Sequence, residues 1–317
     1  MKLDYIFKGA RIMQQRKRTA SKRLTNSNLT YHLMILPGIV FLLIFNYAPM
    51  FGLVMAFQDY VPAKGIFNSD FVGFQHFAYM FSLPSIERVF TNTIVIAGGK
   101  IIFNTLLAIV FAILLNEIRV RWLKKSVQTI VYLPNFLSWV VLASVVVNMF
   151  NLDGSVNHIL DNFGVGPFNF LGSNQLFRPL IIGTDVWKSF GFNSIVYLAA
   201  ITSIDPGLHE AASIDGANWW RRVWHVTLPG MLPIILLLAI LNLPNILNGG
   251  FDQIYNLYSP VVYQSGDIID TYVYRVGLMG RDYSFGTAVG LFKSIIGLVL
   301  ILSANQTAKK FTERQLF

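Results

Sequence analysis

Residues 91–115 read TNTIVIAGGKIIFNTLLAIVFAILL, and Lys100 is the one charge among them. At about 1.5 Å per residue such a run extends roughly 37 Å as a helix, enough to cross the ~30 Å hydrocarbon core of a bilayer. A helix at the surface of a soluble protein keeps a polar face, and this run has none to offer. Five further runs share the character: residues 33–57, 127–150, 180–201, 229–247 and 285–304. The sequence therefore predicts an all-α integral membrane protein with six transmembrane helices. Composition agrees, since 54% of the 317 residues are hydrophobic and only 13% are charged, against about 25% in soluble proteins. There is no cysteine, hence no disulfide framework and no thiolate metal site. The first run is too long for the core of a signal peptide and no small-residue cleavage pattern follows it, so it reads as a retained helix.

The charges fix an orientation. Seventeen basic residues fall before residue 33, in the loops after the second and fourth runs, and in the tail, whereas five fall in the alternate loops. Positive residues stay on the cytoplasmic side, which places both termini inside the cell. The net charge of +9 is thus a topology signal, and nucleic acid is not an expected partner. Residues 1–30 form a basic N-terminal segment. Leu3, Ile6, Phe7, Ala10 and Met13 have helical spacing, so this segment is either an interfacial helix on anionic lipid or a basic arm that only sets topology. Residues 31–311 carry the spans, and 312–317 are a cytoplasmic tail.

Residues 202–228, on the cytoplasmic side, read TSIDPGLHEAASIDGANWWRRVWHVTL. Asp205 followed by Pro206 is a helix start, with a capping oxygen and a ring preset to helical φ. Leu208, Ala211 and Ala212 make a small apolar face, Gly216 ends or turns the helix, and Asn218 caps a second helix carrying Trp219, Trp220 and Trp224. Pro229 then restarts the chain as the fifth span. Taken alone, this helix–turn–helix suits either docking onto a cytoplasmic partner or an ordinary amphipathic connector.

Glu210-Ala211-Ala212, three residues, Gly216, and then Leu228-Pro229 resemble the EAA signature of binding-protein-dependent ABC import permeases. Val226 stands where isoleucine is usual, a conservative departure. The extension Ile214-Asp215-Gly216-Ala217 is similar to the carbohydrate-uptake branch, as are Asn92-Thr93, Leu133-Pro134, Gly154-Ser155-Val156-Asn157 and Asp270-Thr271-Tyr272-Val273-Tyr274-Arg275. The last stretch is similar to Gram-positive permeases for oligo- or polysaccharides. The resemblance implies type I ABC importer permease architecture in the cell membrane, with Glu210, Ala211, Ala212, Asp215, Gly216, Leu228 and Pro229 coupling to an ABC ATPase dimer. It also implies a second, homologous permease and an extracellular substrate-binding lipoprotein. The chain itself is expected to be non-catalytic and to bind no cofactor, ATP and Mg being used by the ATPase. In keeping with this, Gly98-Gly99-Lys100 is followed by Ile101 and completes no phosphate loop.

Polar residues within the spans are candidates for a substrate path. Asp185 and Lys188 are three apart and could pair on one face, either as a structural ion pair or as cavity lining with Trp187 and Asn193. Lys100 and Lys293 read as lysines snorkelling outward. Asn242 and Asn245, beside the bend expected at Pro244, could bind sugar hydroxyls or bond neighbouring helices, and Trp139 could stack on a sugar ring. The external loop 249–284 carries several tyrosines and would meet the binding protein or cover the chain's own helices. An ABC permease for a non-sugar solute is the near alternative. A secondary transporter would show repeat symmetry with paired broken helices. A membrane enzyme would need clustered catalytic groups, but the five histidines are scattered and no metal site is expected.

Overall fold

A computed structural model describes residues 29–312, which are almost wholly helical apart from a two-residue antiparallel ribbon pairing Gln58–Asp59 with Asp70–Phe71. The N-terminal segment 1–28, with its expected interfacial helix, and the last five residues lie outside the described residues. Helices are introduced in chain order: α1 Leu29–Phe57, α2 Pro84–Glu117, α3 Arg121–Tyr132, α4 Trp139–Phe150, α5 Asn174–Thr202, α6 Pro206–Ile214, α7 Trp219–Leu247, α8 Phe251–Leu257 and α9 Tyr283–Thr312. Five segments are long and apolar enough to cross a membrane: α1, α2, Trp139–Asp161, α7 and residues Tyr283–Gln306 of α9. Helix α5 has the length, at 29 residues, but Arg178, Asp185 and Lys188 dilute its apolarity.

The third expected span, 127–150, is not continuous. Leu133–Phe136 is a 3₁₀ turn, and the chain restarts as α4 at Trp139 with the Ser138 hydroxyl accepting from the Val141 amide. Pro134 explains the break, because it lacks an N–H and its ring collides with the carbonyl one turn back. Helix α3, before the break, is amphipathic and basic along one side, as suits a helix lying at the membrane surface. Trp219 onward differs in the opposite sense. Pro229 does not restart the chain: a π-helical turn at Val223–Thr227 absorbs the lost hydrogen bond and α7 runs through it unbroken.

Helices α2 and α5 pack along their length and form the spine of the bundle. The buried face of α2 repeats every four residues, through Ile96, Lys100, Asn104, Ala108 and Ala112. Gly191 of α5 permits a close crossing, since a Cβ there would lie 2.6 Å from the Val131 carbonyl oxygen of α3. At one end Ala108, Ala112, Tyr197, Ile201 and Met231 join α2, α5 and α7. At the other, Ile96, Phe177 and Ile181 are covered by Ile254, Leu257 and Ile268 from the segment between α7 and α9. That segment is a cap over the chain's own helices. Asn92 donates to the carbonyls of Gln264 and Asp267, Arg178 donates to Ser265, and the buried Asp267 pairs with Arg275.

Candidate functional site

Helix α7 changes character before its end. Pro244 withdraws a donor, and Leu243–Leu247 tightens into a 3₁₀ helix. At three residues per turn, Asn242, Asn245 and Asn248 come into line on one side of it. They face Asn104 of α2 and Asn193 of α5 across a cavity of about 400 Å3, whose further walls include Thr105, Phe192 and Tyr197. Asn193 donates to Asn104 at 2.8 Å, and Asn245 donates to Asn242 at 3.4 Å. Lys100 and Asp185 also line the cavity, paired at 3.4 Å. Lys100, a residue 7% exposed, also donates through its ammonium to the Gly249 carbonyl at 2.8 Å and to Gln253 Oε1. Gln253 in turn donates to the Ile181 carbonyl and Thr184, so that this cluster closes the cavity beneath the cap. Amides, hydroxyls and one ion pair between apolar walls can hold a polyhydroxylated ligand by many modest hydrogen bonds, which allows both entry and release.

Of the residues singled out from sequence, the cavity gathers Asp185, Asn193, Asn242 and Asn245. Trp139, Trp187 and Lys188 stand apart from it. Trp187 lines two apolar grooves on the outer face of α5 and is 48% exposed. Lys188 makes no ion pair with Asp185. It donates to the carbonyls of Pro134, Asn135 and Leu137, which the break before α4 has freed, and its ammonium lies 5.5 Å from the Trp139 ring centre. The expectation for Lys100 and Lys293 is corrected too. Neither reaches outward, for Lys293 pairs with Asp270 of the cap just as Lys100 pairs with Asp185. Sequence reading passed over Asn104, although its spacing of four from Lys100 puts both on one face. Gln253 left no such signal, because its partners lie on α2 and α5.

At the far end of α7, α6 begins as its sequence requires. Asp205 Oδ1 accepts from the Gly207 amide at 2.9 Å, and Pro206 occupies the first turn. Its end is a Schellman motif: the Ala217 amide reaches the Ala212 carbonyl, the Gly216 amide reaches Ser213, and Gly216 has φ +78°. Asn218 caps the next helix by accepting from Arg221 at 2.9 Å, and Arg222 donates to Ser213 at 3.0 Å, tying α6 to α7. No residue of α6 is buried, and Ile214 is 87% exposed. Glu210 and Ala211 are exposed, whereas Ala212 is half-covered by the turn. Helix α6 is thus firmly capped at both ends yet little covered by the rest of the described chain.

A multi-pass bundle with a polar cavity at one end of a long helix and a small, exposed helix at the other is a membrane permease, and the EAA loop makes it a permease of the ABC import class. Residues 104–314 match the family model described as binding-protein-dependent transport system inner membrane component, and the chain belongs to that family. It is 41% identical over 305 residues to the polygalacturonan/rhamnogalacturonan transport system permease protein YteP of Bacillus subtilis, covering 96% of this chain and 94% of that one. Protein LplB of the same organism is 39% identical, with 90% of each chain covered. A solved bacterial ABC transporter involved in import of the acidic polysaccharide alginate contains a chain that superposes with TM-score 0.82 at 40% identity, covering 92% of this chain and 98% of that one. The same type of chain matches, with TM-score 0.83, in a bacterial alginate transporter complexed with its alginate pentasaccharide-bound periplasmic protein.

Proposed function

We propose that this permease moves an acidic oligosaccharide across the cell membrane. An extracellular binding lipoprotein delivers the cargo, and a separate ATPase dimer docked on α6 drives the step. The observation that carries the reading is the cavity of Asn104, Asn193, Asn242, Asn245 and Asn248, closed by Lys100 and Asp185. Hydroxyl-rich cargo satisfies the amides, and the relatives whose cargo is named serve polygalacturonan/rhamnogalacturonan transport and import of the acidic polysaccharide alginate. Helix α5 supplies the sixth crossing, which puts both termini on the ATPase side, and a second homologous permease completes the path. ATP binding closes the ATPase pair and draws the coupling helices together. Glu210 forms the polar contact, Ala211 and Ala212 admit close approach, and α7 carries the movement to its asparagines. ATP and Mg belong to the ATPase, and this chain contributes binding surfaces alone.

The test is uptake of labelled tetragalacturonate by proteoliposomes holding the complete transporter and its binding protein. Asn242→Ala with Asn245→Ala is expected to weaken uptake while leaving basal ATP hydrolysis intact. Uptake without an ATPase present, or an unaltered double variant, would contradict the assignment. Because the chain has no cysteine, single cysteines introduced at Ser213 and at Asp252 report sidedness directly. Labelling of both from the same face would overturn the topology.

A further inference from the structure

The outer cap carries a feature that coupling and translocation leave unused. Phe251 and Tyr255, one turn apart on α8, stack with ring centres 5.2 Å apart and planes inclined by 15°. Tyr274 packs edge-on against both, and its hydroxyl lies 3.4 Å from that of Tyr255. The strip continues through Tyr258 to Tyr263, which is covered by the Arg275 guanidinium at 4.4 Å. Tyr255 is 42% exposed.

We propose that this strip is a second saccharide-binding subsite, lying outside the cavity and receiving the oligosaccharide before it enters; the proposal rests on the cargo reading above. Three observations favour a sugar over an apolar protein segment. Tyr255, the exposed ring of the strip, is flat with a polar edge, and the half-buried Phe251, Tyr258, Tyr263 and Tyr274 rings extend it, which suits a ligand with an apolar ring face and a hydroxylated rim. The exposed Asn256 lies on the same short helix, its Nδ2 tied to the Asp252 carbonyl, and offers its amide oxygen beside the rings. The strip is also rigidly floored: Ile254 and Gln253 are fully buried beneath it, and Gln253 accepts from the same Lys100 that lines the cavity. Helix α8 is therefore joined to the wall of the cavity through the Gln253–Lys100 hydrogen bond. Because α7 spans the bilayer between α6 and the cap, the strip lies on the face opposite the coupling helix.

The strip is tested in the complete transporter with Tyr255→Leu, which keeps apolar bulk but removes the flat ring, and Tyr255→Phe, which keeps the ring. Two quantities are read: KM for tetragalacturonate uptake, and the affinity of the unliganded binding protein for the transporter. Tyr255→Leu is expected to raise KM about tenfold while Tyr255→Phe stays within about threefold of wild type, binding-protein affinity being unchanged in both. An unchanged KM in Tyr255→Leu would overturn the proposal. So would a loss of binding-protein affinity matching the rise in KM, which would make the strip a protein-docking surface. Wild type is the control: if it takes up no tetragalacturonate, the cargo reading falls, whereas uptake by wild type that Tyr255→Leu matches refutes the strip alone.

Discussion

Replacing Lys100 with methionine removes a buried cation while keeping most of its volume. The structure sets the size of the effect. Lys100 is 8% exposed in its side chain and makes one ion pair at 3.4 Å, with Asp185, which is 20% exposed. It also donates to the Gly249 carbonyl and to Gln253 Oε1, both within the sealed cluster. Removing one partner of a buried pair costs about 3–5 kcal/mol, because the other charge is left uncompensated. Asp185 borders the cavity, where water reaches it, so the ion-pair share falls towards the lower limit. The two orphaned acceptors add about 1 kcal/mol each. The sum is about 5 kcal/mol, or roughly 10 °C in apparent melting temperature at about 2 °C per kcal/mol. Asp185→Asn alone should cost less, because Lys100 keeps its two neutral acceptors. The double variant should be more stable than the sum of the singles by at least about 1.5 kcal/mol. Thermal unfolding of the detergent-purified complex, followed by monodispersity, measures all three. Strict additivity, or a Lys100→Met variant melting with wild type, would refute the view that this pair locks the cap onto α2 and α5.

Other perturbations test the remaining contacts. Glu210→Lys should abolish substrate-stimulated ATP hydrolysis with the melting temperature unchanged, and Gly216→Val should do so while also melting earlier, since φ +78° costs a side chain about 1–2 kcal/mol. Wild-type stimulation in both would remove α6 from the ATPase contact. Gly191→Ala puts a Cβ 2.6 Å from the Val131 carbonyl oxygen, so α3 must shift, and a loss of about 1–3 kcal/mol in thermal unfolding is expected. Burial raises the Asp267 carboxyl above its ordinary value, against the opposing pull of Thr271 and Arg275. A raised carboxyl favours the folded cap below the unfolded value, and that contribution is lost as pH climbs through the folded one. Melting temperatures of wild type should therefore decline as pH rises from about 4 to 8 by an amount that Asp267→Asn removes, and identical profiles would contradict the sign.

The sequence made legible whatever depends on near neighbours. The capping by Asp205, Pro206 in the first turn, the left-handed Gly216 and the capping by Asn218 are each decided within four residues, and each is found where the pattern put it. Apolar runs are equally local, so the helical bundle was readable as well. Contacts between helices were not. Asp185 has Lys188 within reach on its own helix, yet Lys100 on α2 makes the ion pair, because the break more than 50 residues earlier in the chain presents three free carbonyls to Lys188. That break itself was obscured, since hydropathy does not distinguish Val127–Tyr132 from the helix beyond Pro134. Pro229 misled in the other direction, because a single π-helical turn repairs the lost bond and no residue type marks one.

The continuity of α7 gives the bundle its mechanical sense. One 29-residue helix, roughly 40 Å long, begins beside α6 and ends in the asparagine ladder of the cavity. Arg222 near its start bonds Ser213 of α6, so a push on α6 is delivered to the helix through a hydrogen bond as well as through the chain. Two separate helices meeting at Pro229 would have dissipated such a push at the joint. Pro244, by contrast, does interrupt the regular helix, and it does so where the cavity-lining asparagines begin. Inserting one residue after Leu236 would rotate the ladder by about 100° relative to the coupling end without touching either surface. Stimulated ATP hydrolysis should then become uncoupled from uptake, with binding-protein docking preserved. If uptake persisted at wild-type stoichiometry, α7 would not be the transmitting element.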